Sequence, residues 1–322
     1  MTPRIARRAL LGALALPALA RAQAEWPTRP LRLIAPYTPG GGVDTTARLL
    51  AMVIGRELGQ NVIVENRPGS AGMIGAAEAA RAQPDGYTLL VDAIPHVANP
   101  QVLTGLPFDY LTAFAPLSLS VVVPHVMVVP LSSPAKSVPE FIALAKARPG
   151  QLAYGTPGAL TASHFASALL ANRAGIELVH VPYRGGTAAL PDLMSGNIAM
   201  MMGTVSSSVP LVNEGRIRCI GVTTKARLPN LPDVPTIAEQ GLPGYEMNEW
   251  NGLFGVAGTP PAVLARLSAA AQVAMRDPTV LARTSTLGLM PVGSSAEDFA
   301  SFIAGQREIV RKLIADNRMT AS

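Results

Sequence analysis

The sequence predicts an α/β protein folded in two lobes, and three observations carry that prediction. Its 322 residues exceed the length at which a single hydrophobic core usually stops growing. Short apolar runs alternate with helix-period segments, the order that builds a parallel sheet covered by helices. Hydrophobic residues make up 49% and charged residues 15%, which excludes a disordered or solvating chain.

The chain opens with an address. Arg4, Arg7 and Arg8 form a basic region, Leu10 to Leu19 an apolar stretch broken by Pro17, and Ala22-Gln23-Ala24 a small-x-small cleavage site. The apolar run is too short to cross a bilayer, which takes about 20 residues. A secretory signal cleaved after Ala24 is therefore expected in place of an N-terminal core helix. The pair Arg7-Arg8 loosely matches a twin-arginine signal and leaves the export route open. Cleavage takes four of the 26 basic residues and no acid, so 22 basic residues face 21 acidic ones. The positive net charge is thus mostly the signal's, and nucleic-acid binding loses its main support.

Beyond Glu25, Leu31 to Tyr37 reads as a buried strand, and Val43, Ala47, Leu50, Ile54 and Leu58 recur along one helix face. Asn61 to Asn66 is a second strand, Met73 to Ala82 a small-residue helix, and Tyr87 to Ala93 a third strand. Val121 to Val129 is β-branched with Pro124 in its middle, which predicts two extended pieces and a bend suited to a crossover between lobes. Ser137 with Glu140 is a capping box opening a helix to about Arg148, stopped by Pro149-Gly150. Gln151 to Tyr154 is a strand, followed by a Gly-rich turn and a helix from Thr161 to Asn172 ended by Gly175. Ile176 to Tyr183, Ile198 to Met202 and Arg216 to Thr223 read as further buried strands. Two late helices, Pro261 to Arg276 and Ala296 to Asn317, carry apolar faces, the second through Phe299, Phe302, Ile309 and Leu313.

Several chemistries are excluded by what is missing. One cysteine, Cys219, permits no intrachain disulfide and no multi-cysteine metal site, and it reads as an inert buried thiol. His96, His125, His164 and His180 have no local zinc spacing. Met200-Met201-Met202 sits on a strand, where neighbours face opposite ways, so it reads as core. The turn Pro36 to Asp44 has Thr45 where a dinucleotide fingerprint needs its third glycine, and no P-loop exists. No G-x-S-x-G elbow is present, Ser206-Ser207-Ser208 reads as a strand-end loop, and no enzyme, cofactor or metal site is expected.

Two Gly-rich strand-to-helix turns remain, PYTPGGGVD (Pro36 to Asp44) and YGTPGALTASH (Tyr154 to His164). Glycines let backbone approach a ligand closely, and a helix N-terminus presents unpaired N–H groups backed by its dipole. Together they make an anion site, with the hydroxyls of Thr156 and Thr161 added at the second turn. A third turn puts Ser70, Ala71 and Gly72 beside the first if the strands are neighbours.

Seven segments in order then carry a family resemblance: WPTRPLRLIAPYTPGGGVDTTAR, LGQNVIVENRPGSAGMIGA, PDGYTLL, AYGTPG, VHVPYRGGTAALPDLMSGNI, LPNLPDVPTIAEQGLPGYE and WNGLFGVAGTP. Across nearly the whole mature chain the sequence resembles the Bug-type periplasmic solute-binding proteins, the receptors of tripartite tricarboxylate transporters. The resemblance implies a type II, Venus-flytrap α/β fold with two hinge crossings, one at Pro124 and one in Gly244 to Trp250. On that division residues 1–24 are signal, 25–124 with 247–322 one lobe, and 125–246 the other. It implies a monomer that captures a small organic carboxylate between the lobes and hands it to membrane permease subunits; a periplasmic sensor is the alternative, and a secreted hydrolase a more distant one.

The resemblance also carries a ligand set. Tyr37, Pro39, Gly40, Gly41, Gly42, Val43 and Asp44 form the first-lobe loop, with Ser70 and Ala71 beside it. Thr156, Thr161 and His164 approach from the second lobe. Asp44 either caps its own helix and orients the loop or acts through water, and Arg184 either neutralises a second acid group or faces solvent. Asp92, Ala93, Ile94 and His96 line the variable part of the pocket, with His96 as a donor that sets specificity. Where the family often carries an acid after the strand IAMMM, Gly203-Thr204 stand here, which favours a carboxylate without an ammonium and puts Thr204 in the pocket wall.

Overall fold

The computed structural model describes residues 26–183 and 186–320. The expected signal and Arg184 lie outside the described residues. β1 (Leu31–Ala35) leads into α1 (Gly42–Leu58), β2 (Val62–Asn66), α2 (Met73–Ala80), β3 (Thr88–Asp92), α3 (Pro95–Val102) and β4 (Phe114–Val123). One residue later, past Pro124, β5 (His125–Pro130) opens a second sheet. There follow α4 (Val138–Ala147), β6 (Ala153–Thr156), α5 (Ala162–Ala174), β7 (Val179–Pro182), α6 (Leu190–Ser195), β8 (Met200–Thr204), α7 (Val205–Asn213) and β9 (Ile217–Val222). The chain returns on β10 (Glu249–Val256) and finishes with α8 (Pro261–Ala274), α9 (Pro278–Leu287), β11 (Met290–Pro291) and α10 (Ala296–Asn317).

The strands form two separate sheets, ordered β11-β4-β10-β3-β1-β2 and β7-β6-β8-β5-β9, one in each lobe. Both are mixed, where strand-helix alternation alone predicts parallel sheets. β10 runs antiparallel between β3 and β4, and β5 runs antiparallel between β8 and β9. The reason is the crossing itself. A chain arriving from the other lobe enters its new sheet at the end facing the gap and runs away from it, against strands that run toward it. The bend at Pro124 is where β4 hands over to β5, since proline supplies no N–H to either ladder.

Local chemistry explains the element boundaries. α1 buries Val43, Ala47, Leu50, Ile54 and Leu58 and stops at Gly59 in the left-handed conformation. Ser137 caps α4, its Oγ accepting from the Glu140 amide at 3.4 Å, while the Glu140 carboxylate accepts from the Lys136 amide at 2.7 Å. Met200, Met201 and Met202 are all buried, as core positions should be. Three readings need correction. β7 is an edge strand with exposed ends, because it pairs only with β6. Ser206 to Ser208 form the first turn of α7, which Thr204 precedes as N-cap. The buried face of α10 runs through Phe299, Ile303, Val310 and Leu313, and Ile309 points outward.

Three apolar clusters hold the molecule. One joins α1 and α8 to the first sheet, and another packs α6 and α7 on the second. The largest takes Ile34 and Leu90 from the first sheet, Phe165 and Leu170 from α5, and Trp250, Phe299 and Leu313 from β10 and α10. It spans both lobes.

Candidate functional site

Strands β1, β3, β6 and β8 end toward one gap, and α1, α3, α5 and α7 begin there. A cleft of about 790 Å³ opens at these junctions. Its walls come from both sheets: Tyr37 and Gly41 to Val43, Ser70 and Ala71, and Ala93 to Pro95 on one side, with Leu160, Thr161 and Thr204 on the other. Helix N-termini at the carboxyl ends of strands concentrate unpaired amides and the positive ends of dipoles, which suits an anion.

At the first turn, α1 starts behind Gly41, which offers no side chain to cap it. The amides of its first turn are left without helical carbonyl partners by geometry alone. Asp44 sits in that turn but does not cap it. Its carboxylate accepts from the Gly40 amide (2.8 Å), Asn66 Nδ2 (2.9 Å) and Arg48 Nε (3.0 Å), so it faces back into the loop. Burial alone would raise this carboxyl, but Arg48, the Gly40 amide and Asn66 outweigh it and hold it below the usual range. Asn66 also donates to the Tyr37 carbonyl at 3.1 Å. Asp44, Asn66 and Arg48 thus fix the loop from behind and leave its front open.

Beside it, Ser70 and Ala71 are both left-handed, with φ of 47° and 50°. Such geometry costs a non-glycine residue roughly 1–2 kcal/mol. It turns consecutive amides to one side, a concavity for an anion. Asn99 braces the turn by donating to the Ala71 carbonyl at 3.0 Å. Gly72 is required here, because a Cβ would come within 2.8 Å of the Tyr37 hydroxyl. Across the cleft Leu160 is also left-handed (φ 56°), so three of the four such non-glycine residues among those described line this one cavity.

The second turn is partly closed by its own side chains. Thr161 caps α5, its Oγ1 accepting from the His164 amide (3.3 Å) and donating to the Gly158 carbonyl (3.0 Å). His164 Nδ1 accepts from the Leu160 amide at 3.2 Å, and its ring stacks on His180 with centroids 3.9 Å apart. Burial, then His180, pushes His164 down to about 4, so the ring is neutral. Thr156 is fully buried and pairs with His180 Nε2 at 2.7 Å.

The floor under Ala93 is a relay of buried polar groups. Tyr37 OH donates to Asp92 Oδ1 at 3.0 Å, and Asp92 Oδ2 lies 3.1 Å from His96 Nδ1. His96 is buried and stacked on Phe254 at 4.1 Å, so it stands behind the wall instead of presenting a donor to the cleft. Burial, Asp92 and Glu249 together raise the Tyr37 hydroxyl well above its usual value.

The cleft therefore gathers Tyr37, Gly41, Gly42, Val43, Ser70, Ala71, Ala93, Thr161 and Thr204 from the residues singled out in the sequence. Pro39 and Gly40 lie on the exposed outer loop, and Asp44, His96, Thr156 and His164 stand behind the wall as supports. Sequence reasoning missed Leu103, Thr104 and Gly105 at the end of α3, and Glu249 and Asn251 on β10. The segment Gly244 to Trp250 was read only as a crossing. The available signal was an acid, Glu249, at the mouth of a strand that is otherwise apolar or glycine apart from Asn251. Glu249 Oε1 accepts from the amides of Trp250 (3.0 Å) and Ile94 (3.2 Å). Burial pushes its carboxyl up to about 7 against those two amides, and Asp92 adds to the rise.

Residues 46–319 match the profile of a family described as the tripartite tricarboxylate transporter family receptor. A UPF0065 protein from the tcbD-tcbE intergenic region of Pseudomonas sp. (strain P51) is 38% identical over 324 residues, covering 99% of this chain and 96% of the relative. Among solved structures, R. palustris Rpa4515 with adipate superimposes with a TM-score of 0.77 at 31% identity, covering 92% of this chain and 99% of that one. MatC (Rpa3494) from Rhodopseudomonas palustris with bound malate gives 0.73 at 29% identity, covering 89% and 99%.

Proposed function

The chain belongs to the tripartite tricarboxylate transporter receptor family, and we propose that it captures a small carboxylate in the interlobe cleft and delivers it to the permease of such a transporter. One observation supports the capture step above the others: the uncapped start of α1 and the left-handed Ser70-Ala71 turn open onto the same cavity. A carboxylate seated there accepts several short, charge-assisted hydrogen bonds, which replace the hydration it loses. Adipate and malate bound to structural relatives are consistent with this chemistry.

In this reading the first lobe binds and the second closes. Leu160, Thr161 and Thr204 come down on the ligand, with the chain flexing at its crossings near Pro124 and near Met247. The lobes are then residues 25–124 with 247–322 and residues 125–246. The N-terminal 24 residues serve as the export signal that puts the receptor in the periplasm, where it meets the permease.

The test is a thermal-shift screen of the mature protein against about a hundred small carboxylates. A ligand that binds only the folded state adds roughly 2.7 kcal/mol at 100 times its Kd. A hit confined to one carboxylate class supports the proposal. A flat screen on protein that native mass spectrometry shows to be empty rejects it.

A further inference from the structure

We propose that Glu249 is the specificity residue of this cleft, and that the ligand carries, besides its anchored carboxylate, a nitrogen hydrogen-bond donor, an ammonium or a primary amide, accepted by Glu249 Oε2. The inference rests on the carboxylate reading above and adds a second pole to it.

Glu249 stands at the head of β10, where the chain re-enters the first sheet and faces the cleft. Its Oε1 is fixed by two backbone amides, Ile94 at 3.2 Å and Trp250 at 3.0 Å. Oε2 takes no hydrogen bond from any described protein group, so the carboxyl is oriented by one oxygen and presents the other. It is also the one charged side chain among the described residues that line the cavity.

The other polar side chains deep in the cleft are occupied. Asn99 Nδ2 donates to the Ala71 carbonyl and the Tyr110 hydroxyl, at 3.0 and 3.2 Å. Asn251 donates to the Trp250 carbonyl and accepts from Thr46, both at 2.9 Å. Tyr37 donates to Asp92. The cleft thus offers a ligand amide donors at the start of α1 and a carboxylate acceptor at the head of β10.

A dicarboxylate would bring its second charge against Glu249, with Asp92 behind it and no described cation in the wall. A donor pole meets the opposite situation: it completes an acceptor already held in place and offsets a charge that burial disfavours. This donor pole runs against the expectation drawn from Gly203 and Thr204, because the acceptor stands on β10 of the first lobe and not after β8.

Three probes of matched length separate the alternatives: adipate, 6-aminohexanoate and adipamate, titrated calorimetrically at pH 8.5, where the Glu249 carboxyl is ionised, into the mature wild-type protein and into Glu249→Gln. The wild type should hold 6-aminohexanoate and adipamate at least about tenfold tighter than adipate, as a charge-assisted acceptor facing a donor requires. In Glu249→Gln an amide NH2 replaces Oε2, and the order should invert in favour of adipate. Adipate binding as tightly as the other two in the wild type overturns the inference while leaving the carboxylate reading intact. Failure of both 6-aminohexanoate and adipamate to bind likewise overturns the inference, while the carboxylate reading stands or falls on the wider screen. The wild-type order decides the matter even if Glu249→Gln proves unstable, and its melting temperature without ligand reports that directly.

Discussion

The two glycine-rich turns face each other across the cleft on the same strand-to-helix plan, yet they dispose of their hydrogen-bond donors in opposite ways. At the α5 turn, Thr161 caps the helix by taking the His164 amide and His164 takes the Leu160 amide, so side chains of the turn satisfy two of its own donors. At the α1 turn the cap position is Gly41, the nearby carboxylate is drawn backward by Arg48 and Asn66, and the first amides are left for something else. A self-satisfied turn gains stability, whereas an unsatisfied one keeps its binding free energy for a ligand. In the proposed reading, this difference gives anchoring to the first lobe and closure to the second.

The sharpest way to break this asymmetry is to give the first turn the cap it lacks. Gly41→Asp places a carboxylate where the ligand's should sit, and φ at this residue is −76°, so the backbone accepts it. Carboxylate affinity should fall by about 100-fold or more while the melting temperature holds or rises slightly. Calorimetry and thermal unfolding on the same sample check both halves, and retained affinity would place the anchor elsewhere.

Next in size, Asp44→Ala removes the brace behind the loop. It leaves one N–H of Asn66 Nδ2 without its acceptor and turns the exposed Gly40 amide to water, at a cost of about 1 kcal/mol in stability. Affinity should drop roughly tenfold because the amides lose their aim.

How much of this was legible before the structure depends on the kind of signal. Start and stop signals located α4 and α5, while periodicity located α1, α8 and α10, since an apolar stripe is written in the chain. It missed α3, whose Pro100 and polar residues blur the stripe, and α7, where three serines imitate a loop. Glycine turns pointed to the cleft, because backbone geometry follows from glycine. Which side chains reach the cavity did not follow: His96 and Thr156 are two polar residues facing the same gap in sequence, and only packing turned them behind the wall. Glu249 was hidden for the complementary reason, its neighbours in space being Ile94 and Tyr37, more than 150 positions away along the chain.

A pH series sharpens the comparison further, since the anchoring lobe alone carries an acid in the cleft wall. The Glu249 carboxyl, raised to about 7, faces Asp92 from β3 and Tyr37 from the first turn, with His96 behind Asp92. With its folded value above the unfolded one, the native state binds the extra proton between about pH 4.5 and 7. This group's contribution to stability therefore falls as pH rises through that window, by up to about 3 kcal/mol. Glu249→Gln should flatten that slope in urea unfolding followed from pH 5 to 8, and an unchanged slope would show that burial is not perturbing this carboxyl.

Smallest of all, Thr161→Ala removes the α5 cap and should cost about 1 kcal/mol of stability with affinity changed less than threefold. A larger loss of affinity than of stability would mean that the second turn also anchors.

Each lobe has a private apolar core, but the third cluster belongs to neither, running from Leu90 through Phe165 and Trp250 to Leu313. Half a protein cut at the crossing would expose that shared surface to water, so neither half is a self-sufficient folding unit. Heating should consequently melt the molecule in one calorimetric peak and not two. Whatever occupies the cleft then raises the melting temperature of the entire chain, including helices that never come near it.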